Sequence, residues 1–188
     1  MGVVFRPGAA TRFFKGSALD FYSRAVPLAF VWGGRSRLLL DQLGDERSPR
    51  RRLAILEATL ADVWREREGQ TRPVPPGVQY ALRAFHSIPG SKTIGQVSRE
   101  IGWSRRWLTQ SFAESVGMVP KRYCRLLRFQ HVVRQVVPGR RIDWAELAIA
   151  CGFCDQAHLA HEFRAFSGFT PESFLRAHRP FANHVKID

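Results

Sequence analysis

Cys151, Cys154, His158 and His161 form a C-x2-C-x3-H-x2-H run, four side chains of the types that hold soft or borderline metal ions. The spacing argues against that use. A zinc finger separates its Cys pair from its His pair by about 12 residues, so that four ligand vectors converge. Here only three residues intervene, and Cys151 matches Ile101 of an internal repeat and so is expected to face the core, while His158 and His161 face outward. No metal and no cofactor are expected. Covalent chemistry finds no better footing. The chain lacks a nucleophile elbow, a phosphate loop, an HExxH pair, a Rossmann glycine pattern and the Pro-Cys-His-Arg run of methyl-accepting repair proteins. Asp20, Asp41 and Glu57 are isolated carboxylates without evident partners. These residues describe a binding protein rather than an enzyme.

The side chains best suited to recognition lie on two short segments. In the first, Ser104 precedes Arg105, Arg106, Thr109 and Gln110. Arg106, Thr109 and Gln110 fall at i, i+3 and i+4 and so share one helix face. Arginine forks onto guanine O6/N7 and glutamine onto adenine N6/N7. In the second segment the equivalent face is Gln156, Ala157, His158 and His161. Ala157 suits a thymine methyl, and either histidine can donate to a base or a phosphate. Two histidines in place of longer groups predict weaker or more indirect readout by this copy.

An internal repeat positions those faces. Thr93 and Gln96 match Asp143 and Glu146 fifty residues later, each pair a capping-box pattern that starts a helix. Val97, Ser98 and Gly102 match Leu147, Ala148 and Gly152 at the same offset. A small residue followed four later by Gly lets one helix stop and a second cross it closely, as a helix-turn-helix requires. Beyond the turn the offset becomes 51, pairing Leu108 with Leu159, Phe112 with Phe163, Gly117 with Gly168, Pro120 with Pro171 and Tyr123 with Phe174. One extra residue in the second turn accounts for the change. The helix predicted from Pro120 to Val137 joins the copies, with Leu126, Leu127, Val133 and Val137 facing both. Recognition helices in successive major grooves would then lie about 34 Å apart.

Charge points the same way. Lys+Arg total 29 against 16 Asp+Glu, a net +13, and the isoelectric point is near 11.1. That is the electrostatic footprint of a polyanion binder. Only Lys15, Lys92, Lys121 and Lys186 are lysines, so the positive surface is mostly guanidinium, which forks onto phosphate and guanine. Between Val116 and Ile142 stand seven basic residues and no acid. Ser104, Lys121, Arg125 and Arg128 are the candidate phosphate contacts, with packing against the protein as the alternative for Arg125 and Arg128.

The stretch from Ile142 to Arg176, IDWAELAIACGFCDQAHLAHEFRAFSGFTPESFLR, resembles the DNA-binding domain of the AraC/XylS transcriptional regulators. It holds that family's small residue, Gly-Phe, Asp-Gln before the second helix, and then Phe and Gly-x-x-Pro. The earlier copy is looser, with Ser98 where Ala is usual. The resemblance covers roughly Val78 to His178 and implies a transcriptional regulator; a cytoplasmic location is expected from an N-terminus, MGVVFR, with no hydrophobic segment like that of a secretion signal. It also implies that the two outward faces named above contact bases. Phe5-Arg6-Pro7-Gly8 and the segment from Val26 to Gly33 are similar to the last portion of one branch's sensor domain. Such sensors begin with a β-rich barrel, for which this chain starts too late, and no effector is identified.

The fold class expected is mainly α: two helix-turn-helix subdomains joined by a linker helix, after a small helical N-terminal segment with minor β. The breaker cluster Gly69 to Gly77 divides the chain into a sensor or dimerisation remnant at 1–72 and a DNA-binding domain at 73–188. Helix-turn-helix units are expected near 93–113 and 143–164. In the first part, Val3-Val4-Phe5 and Phe13-Phe14 read as strand remnants. Asp20 to Leu43 reads as an interrupted helix. Ser48-Pro49 opens another, with Leu53, Leu56, Leu60 and Trp64 as its apolar stripe. The longest apolar stretch, Ala25 to Trp32, is far short of the ~18 residues of a membrane span.

The function expected is sequence-specific regulation of transcription through a bipartite DNA site. The partner is double-stranded DNA, with RNA polymerase and a second copy of the chain as further candidates and no membrane. An alternative is a modulator that acts through 1–72 on a full-length regulator. A third reading, a nonspecific basic nucleic-acid binder, predicts steep salt dependence without sequence preference.

Overall fold

A computed structural model describes residues 2–71, 73–87, 90–136 and 142–176. Val137, the expected last residue of the linker helix, and Lys186 lie outside them. All regular structure among the described residues is helical, and no helix there is long and apolar enough to cross a membrane. The expected β is absent among the described residues. Val4 is 97% exposed with no strand beside it, and the Phe5 ring instead meets that of Phe13 at 4.7 Å. A strand without a partner leaves its backbone unpaired, and these aromatics are used as packing groups.

By packing, the chain forms two compact units. Residues up to Gln79 form one compact unit together with 106–119, and 80–105 with the chain from Pro120 onward form the other.

In the first unit, two short 3-10 turns at Ala10–Arg12 and Ala18–Phe21 precede helices α1 (Leu28–Trp32), α2 (Gly34–Asp45) and α3 (Pro49–Arg67). Ser17 and Asp20 close the second turn with a reciprocal capping box. Trp32 Nε1 donates to Phe13 O at 2.7 Å. Ser48 caps α3 and Pro49 opens it, as proline's fixed φ and missing N–H favour. The inward face of α3 is rotated from the expected stripe. Val63 is buried, with Ile55, Leu56, Thr59 and Leu60 half-buried, whereas Leu53 and Trp64 are exposed. Trp64 is covered in part by the Arg12 guanidinium, 4.5 Å from its ring.

Helices α4 (Pro76–Ser87), α5 (Ile94–Glu100), α6 (Arg105–Val116), α7 (Pro120–Gln135), α8 (Trp144–Ala150), α9 (Gln156–Ser167) and α10 (Pro171–Arg176) complete the chain. In the second unit Phe129, Val132, Val133, Ala148, Cys151, Phe153, Leu159 and Phe163 form one buried cluster. Its aromatic centre is Phe163, 4.9 Å from Phe129 and 5.3 Å from Phe174, both edge-on.

Candidate nucleic-acid interface

Each recognition segment is held by a turn built the same way in both copies. Ile101, Gly102 and Trp103 donate their N–H groups to Val97, Arg99 and Ser98. Cys151, Gly152 and Phe153 donate to Leu147, Ile149 and Ala148, fifty residues on at every atom. Gly102 and Gly152 take φ of +70° and +76°, the left-handed region that costs a side-chain-bearing residue about 1–2 kcal/mol. Ser98 is 3% exposed and Ala148 0%, which is why both positions are small. The Ser98 hydroxyl is satisfied by donating to Gly95 O at 3.1 Å. Leu108 and Phe112 on α6, and Leu159 and Phe163 on α9, are all within 1% of complete burial. The opposite faces are therefore left to solvent.

The extra residue of the second copy is Cys154. Trp103 is followed at once by Ser104 and the start of α6, whereas Phe153 is followed by Cys154 and then by Asp155, the N-cap of α9. Insertion adds one backbone N–H to a tight turn, and His158 Nδ1 accepts it at 3.3 Å. Asp155 Oδ1 in turn accepts the His158 N–H at 2.7 Å. The Phe153 ring stands edge-on to the imidazole at 5.4 Å. An imidazole whose Nδ1 accepts carries its proton on Nε2. His158 thus braces the turn rather than projecting freely beside His161.

The sequence-predicted site residues separate accordingly. Arg106, Gln110, Gln156, Ala157 and His161 are exposed and Thr109 is half-exposed. Gln110 Nε2 donates to Glu114 Oε1 at 3.0 Å, which fixes its amide along α6. Arg105 is exposed but lies against α5, where a Cβ on Gly95 would come 2.6 Å from its Nη2. Ser104 and Lys121 are exposed at the starts of α6 and α7.

Arg125 and Arg128 are engaged by partners within the chain. Arg125 Nε and Nη2 donate to the two Glu162 oxygens at 2.6 and 2.9 Å. Glu162 is 8% exposed. Burial pushes its carboxyl up, but the Arg125 hydrogen bonds and charge prevail and hold it below the ordinary carboxylate range. Glu162 likewise raises Arg125, against the opposing effect of burial. Arg128 Nη1 donates to Gly152 O at 2.9 Å, and its guanidinium lies 5.2 Å from the Phe153 ring centre. Both cations brace α7 against the second helix-turn-helix. Helical spacing showed their stripe but not these partners, which lie 37 and 24 residues away.

The metal candidates are not gathered. Cys151 is 1% exposed in the core, Cys154 is exposed, and His158 has its Nδ1 engaged. Among the described residues no group of three or more His, Cys, Asp or Glu is placed to hold an ion.

One cationic residue was missed by sequence reasoning. Lys92 Nζ lies 2.8 Å from both Glu100 oxygens and 3.4 Å from Tyr80 Oη. It lines a groove of about 650 Å3 with Lys121, Arg125, Arg128, His158 and Glu162. That groove joins α5, α7 and α9, and no local pattern in the sequence brings them together.

Residues 97–177 match the family described as a helix-turn-helix domain. Among solved structures, the chain is similar to the C-terminal domain of AraT, a response regulator from Geobacillus stearothermophilus. That likeness has 15% identity and a TM-score of 0.53 over 60% of this chain and 94% of that one, and it carries the fold. A transcriptional regulator with an AraC-type DNA-binding domain from Chromobacterium violaceum is 24% identical over 56% of this chain and 96% of that one, at a TM-score of 0.49. The DNA-binding domain of the global transcriptional factor AdpA, solved with a target DNA, is 21% identical over 55% and 93%, at 0.49. No curated protein matches the chain.

Proposed function

We propose that this protein is a DNA-binding transcription regulator that reads a bipartite site, with α6 and α9 entering successive major grooves. The observation that carries the reading is the duplicated turn. Two copies of one hydrogen-bonded device each present a polar helix face opposite fully buried Leu and Phe anchors. A recognition helix needs that arrangement to bring side chains to base edges. Arg106, Thr109 and Gln110 are the base contacts of the first copy, and Gln156, Ala157 and His161 those of the second. Arg105, over α5, and His158, in the turn, contribute from the margins. Ser104 and Lys121 meet phosphates.

Selection of binding sites from random duplex DNA at near-physiological salt tests this directly. Enrichment of two short elements about one helical turn apart, ~10 base pairs, is the expected result. Absence of any enriched motif, with binding that fades as salt rises, would overturn it in favour of nonspecific polyanion binding.

The modulator reading has one observation of its own. Residues up to Gln79 pack in the same unit as 106–119, and the Ser17 hydroxyl donates to Glu114 O at 3.1 Å. Deleting 1–72 therefore disturbs α6 itself, so point variants on the exposed N-terminal helices are the cleaner test.

A further inference from the structure

A cavity of about 410 Å3 adjoins α6, and its whole lining comes from the first unit. Trp107, Ser111, Glu114 and Ser115 line it from one face of the helix, beside the face of Arg106, Thr109 and Gln110. The wall is firm where the second 3-10 turn meets the end of α6. There the Ser17 hydroxyl donates to Glu114 O at 3.1 Å, and a Cβ on Gly117 would come 2.9 Å from Ala18 O. Two groups of opposite charge line the same space. Arg67, the last residue of α3, makes no ion pair among the described residues, and its Nε is buried without a hydrogen-bond partner. A buried donor left unmade is costly and calls for an explanation. Glu114 is exposed, and one of its oxygens accepts from Gln110 Nε2 at 3.0 Å. Around them stand the hydroxyl-bearing Ser17 and Ser111, the latter 5% exposed, and the rings of Phe14 and Trp107, the latter 49% exposed.

Small-molecule sites are pockets of about 300–1,000 Å3 in which apolar walls carry a few convergent polar groups. This lining asks for a carboxylate, an ammonium and an apolar body in one small molecule. Arginine takes a carboxylate through Nε and one Nη together, so a small rotation of the Arg67 guanidinium satisfies its orphan nitrogen. An ammonium brings three donors, enough for the Glu114 carboxylate and a neighbouring hydroxyl. A purely anionic ligand would leave its charge near Glu114, and a purely cationic one near Arg67. We infer that this cavity binds a free α-amino acid with an apolar or aromatic side chain, which covers Phe14 and Trp107. Occupancy also reaches the base-reading face, a consequence that rests on the function proposed above. The ammonium and the Gln110 amide compete for one carboxylate, so the bound amino acid releases Gln110 from its brace. Preference at the base that Gln110 reads then relaxes, and by reciprocity bound DNA weakens the amino acid.

The test begins with the full chain and no DNA. L-Leucine, L-phenylalanine and L-tryptophan are titrated to millimolar concentration and followed by calorimetry. At least one should bind saturably and raise the melting temperature. For the tightest of the three, the analogue lacking the ammonium and the analogue lacking the carboxylate should each bind about tenfold weaker or worse. Arg67→Met should cause a similar loss while melting no lower than wild type, because it removes the orphan nitrogen and keeps the stem. Glu114→Gln should weaken the amino acid but not the analogue without the ammonium. The second arm compares the selected duplex with one altered at the base assigned to Gln110. Saturating amino acid should lower the wild-type preference severalfold and leave that of Gln110→Ala unchanged. No saturable binding by any of the three, equal binding of either analogue, or binding that survives Arg67→Met would overturn the inference. Binding that leaves the base preference intact would overturn the coupling to Gln110. A wild type with no preferred duplex would instead sink the reading of α6, and the arm without DNA still decides the cavity.

Discussion

Arg125→Ala is the perturbation that most sharply separates a structural from a DNA-binding role. The guanidinium makes two charge-assisted bonds to Glu162, at 2.6 and 2.9 Å. The Arg125 side chain is 33% exposed and that of Glu162 10%. Removing one partner of a fully buried pair costs about 3–5 kcal/mol, whereas exposed pairs are worth roughly 0–1. Water reaches Arg125 but hardly Glu162, so truncation should cost about 2–3 kcal/mol, mainly by leaving the carboxylate buried and alone. At ~2–4 °C per kcal/mol for a chain of this size, melting should fall by about 4–12 °C at neutral pH. Arg125→Met, which keeps the hydrocarbon stem, should behave similarly. The double variant Arg125→Met/Glu162→Leu should return to within ~1 kcal/mol of wild type, because no charge is then left unpaired.

The pH dependence has a definite sign. Glu162 is lowered in the folded protein relative to its ordinary value of 4.5. Its contribution is therefore complete above that value and disappears as pH falls through the lower, folded one. The gap between wild type and Arg125→Met, followed by circular dichroism, should be widest near neutrality and close in acid. A variant that melts with wild type at neutral pH, or a gap that persists in acid, would refute the reasoning. Unchanged melting with a flatter salt dependence of DNA binding would restore Arg125 as a phosphate contact.

Arg106→Ala should cost about 1–3 kcal/mol at the selected site and relax preference at one base; equal weakening on every sequence, read by competition binding, would exclude base readout. In mildly alkaline buffer a thiol reagent should label exposed Cys154 first. Cys124, which burial pushes up to about 11, and buried Cys151 should react only on unfolding. Fast labelling of more than one thiol in the native protein would contradict this placement. Gly102→Ala should cost about 1–2 kcal/mol by denaturant titration, since no atom lies within 4 Å of the added Cβ and only the backbone, at φ +70°, is strained. Cys151→Ser buries a hydroxyl at a 1% exposed position and should lower stability by ~1–3 kcal/mol.

What the sequence determined by itself is whatever rests on contacts local along the chain. Helix starts at Thr93 and Asp143, the small residue and Gly of each turn, and the Leu and Phe anchors are set by rotation per residue and by caps within four positions. Repetition made them legible, because two segments under the same packing constraint keep the same residues. The tertiary structure decided the rest. Phe5 and Phe13 read as strand because apolar alternation does not say whether a partner strand exists. The α3 face was rotated because its stripe had several near-equal solutions until Val63 met a core. Arg125, Arg128 and His158 looked like free polar side chains because nothing near them in sequence names Glu162, the Gly152 carbonyl or the inserted Cys154 N–H as partners. A charged side chain goes to the nearest group able to satisfy it, and only the folded chain settles which group is nearest.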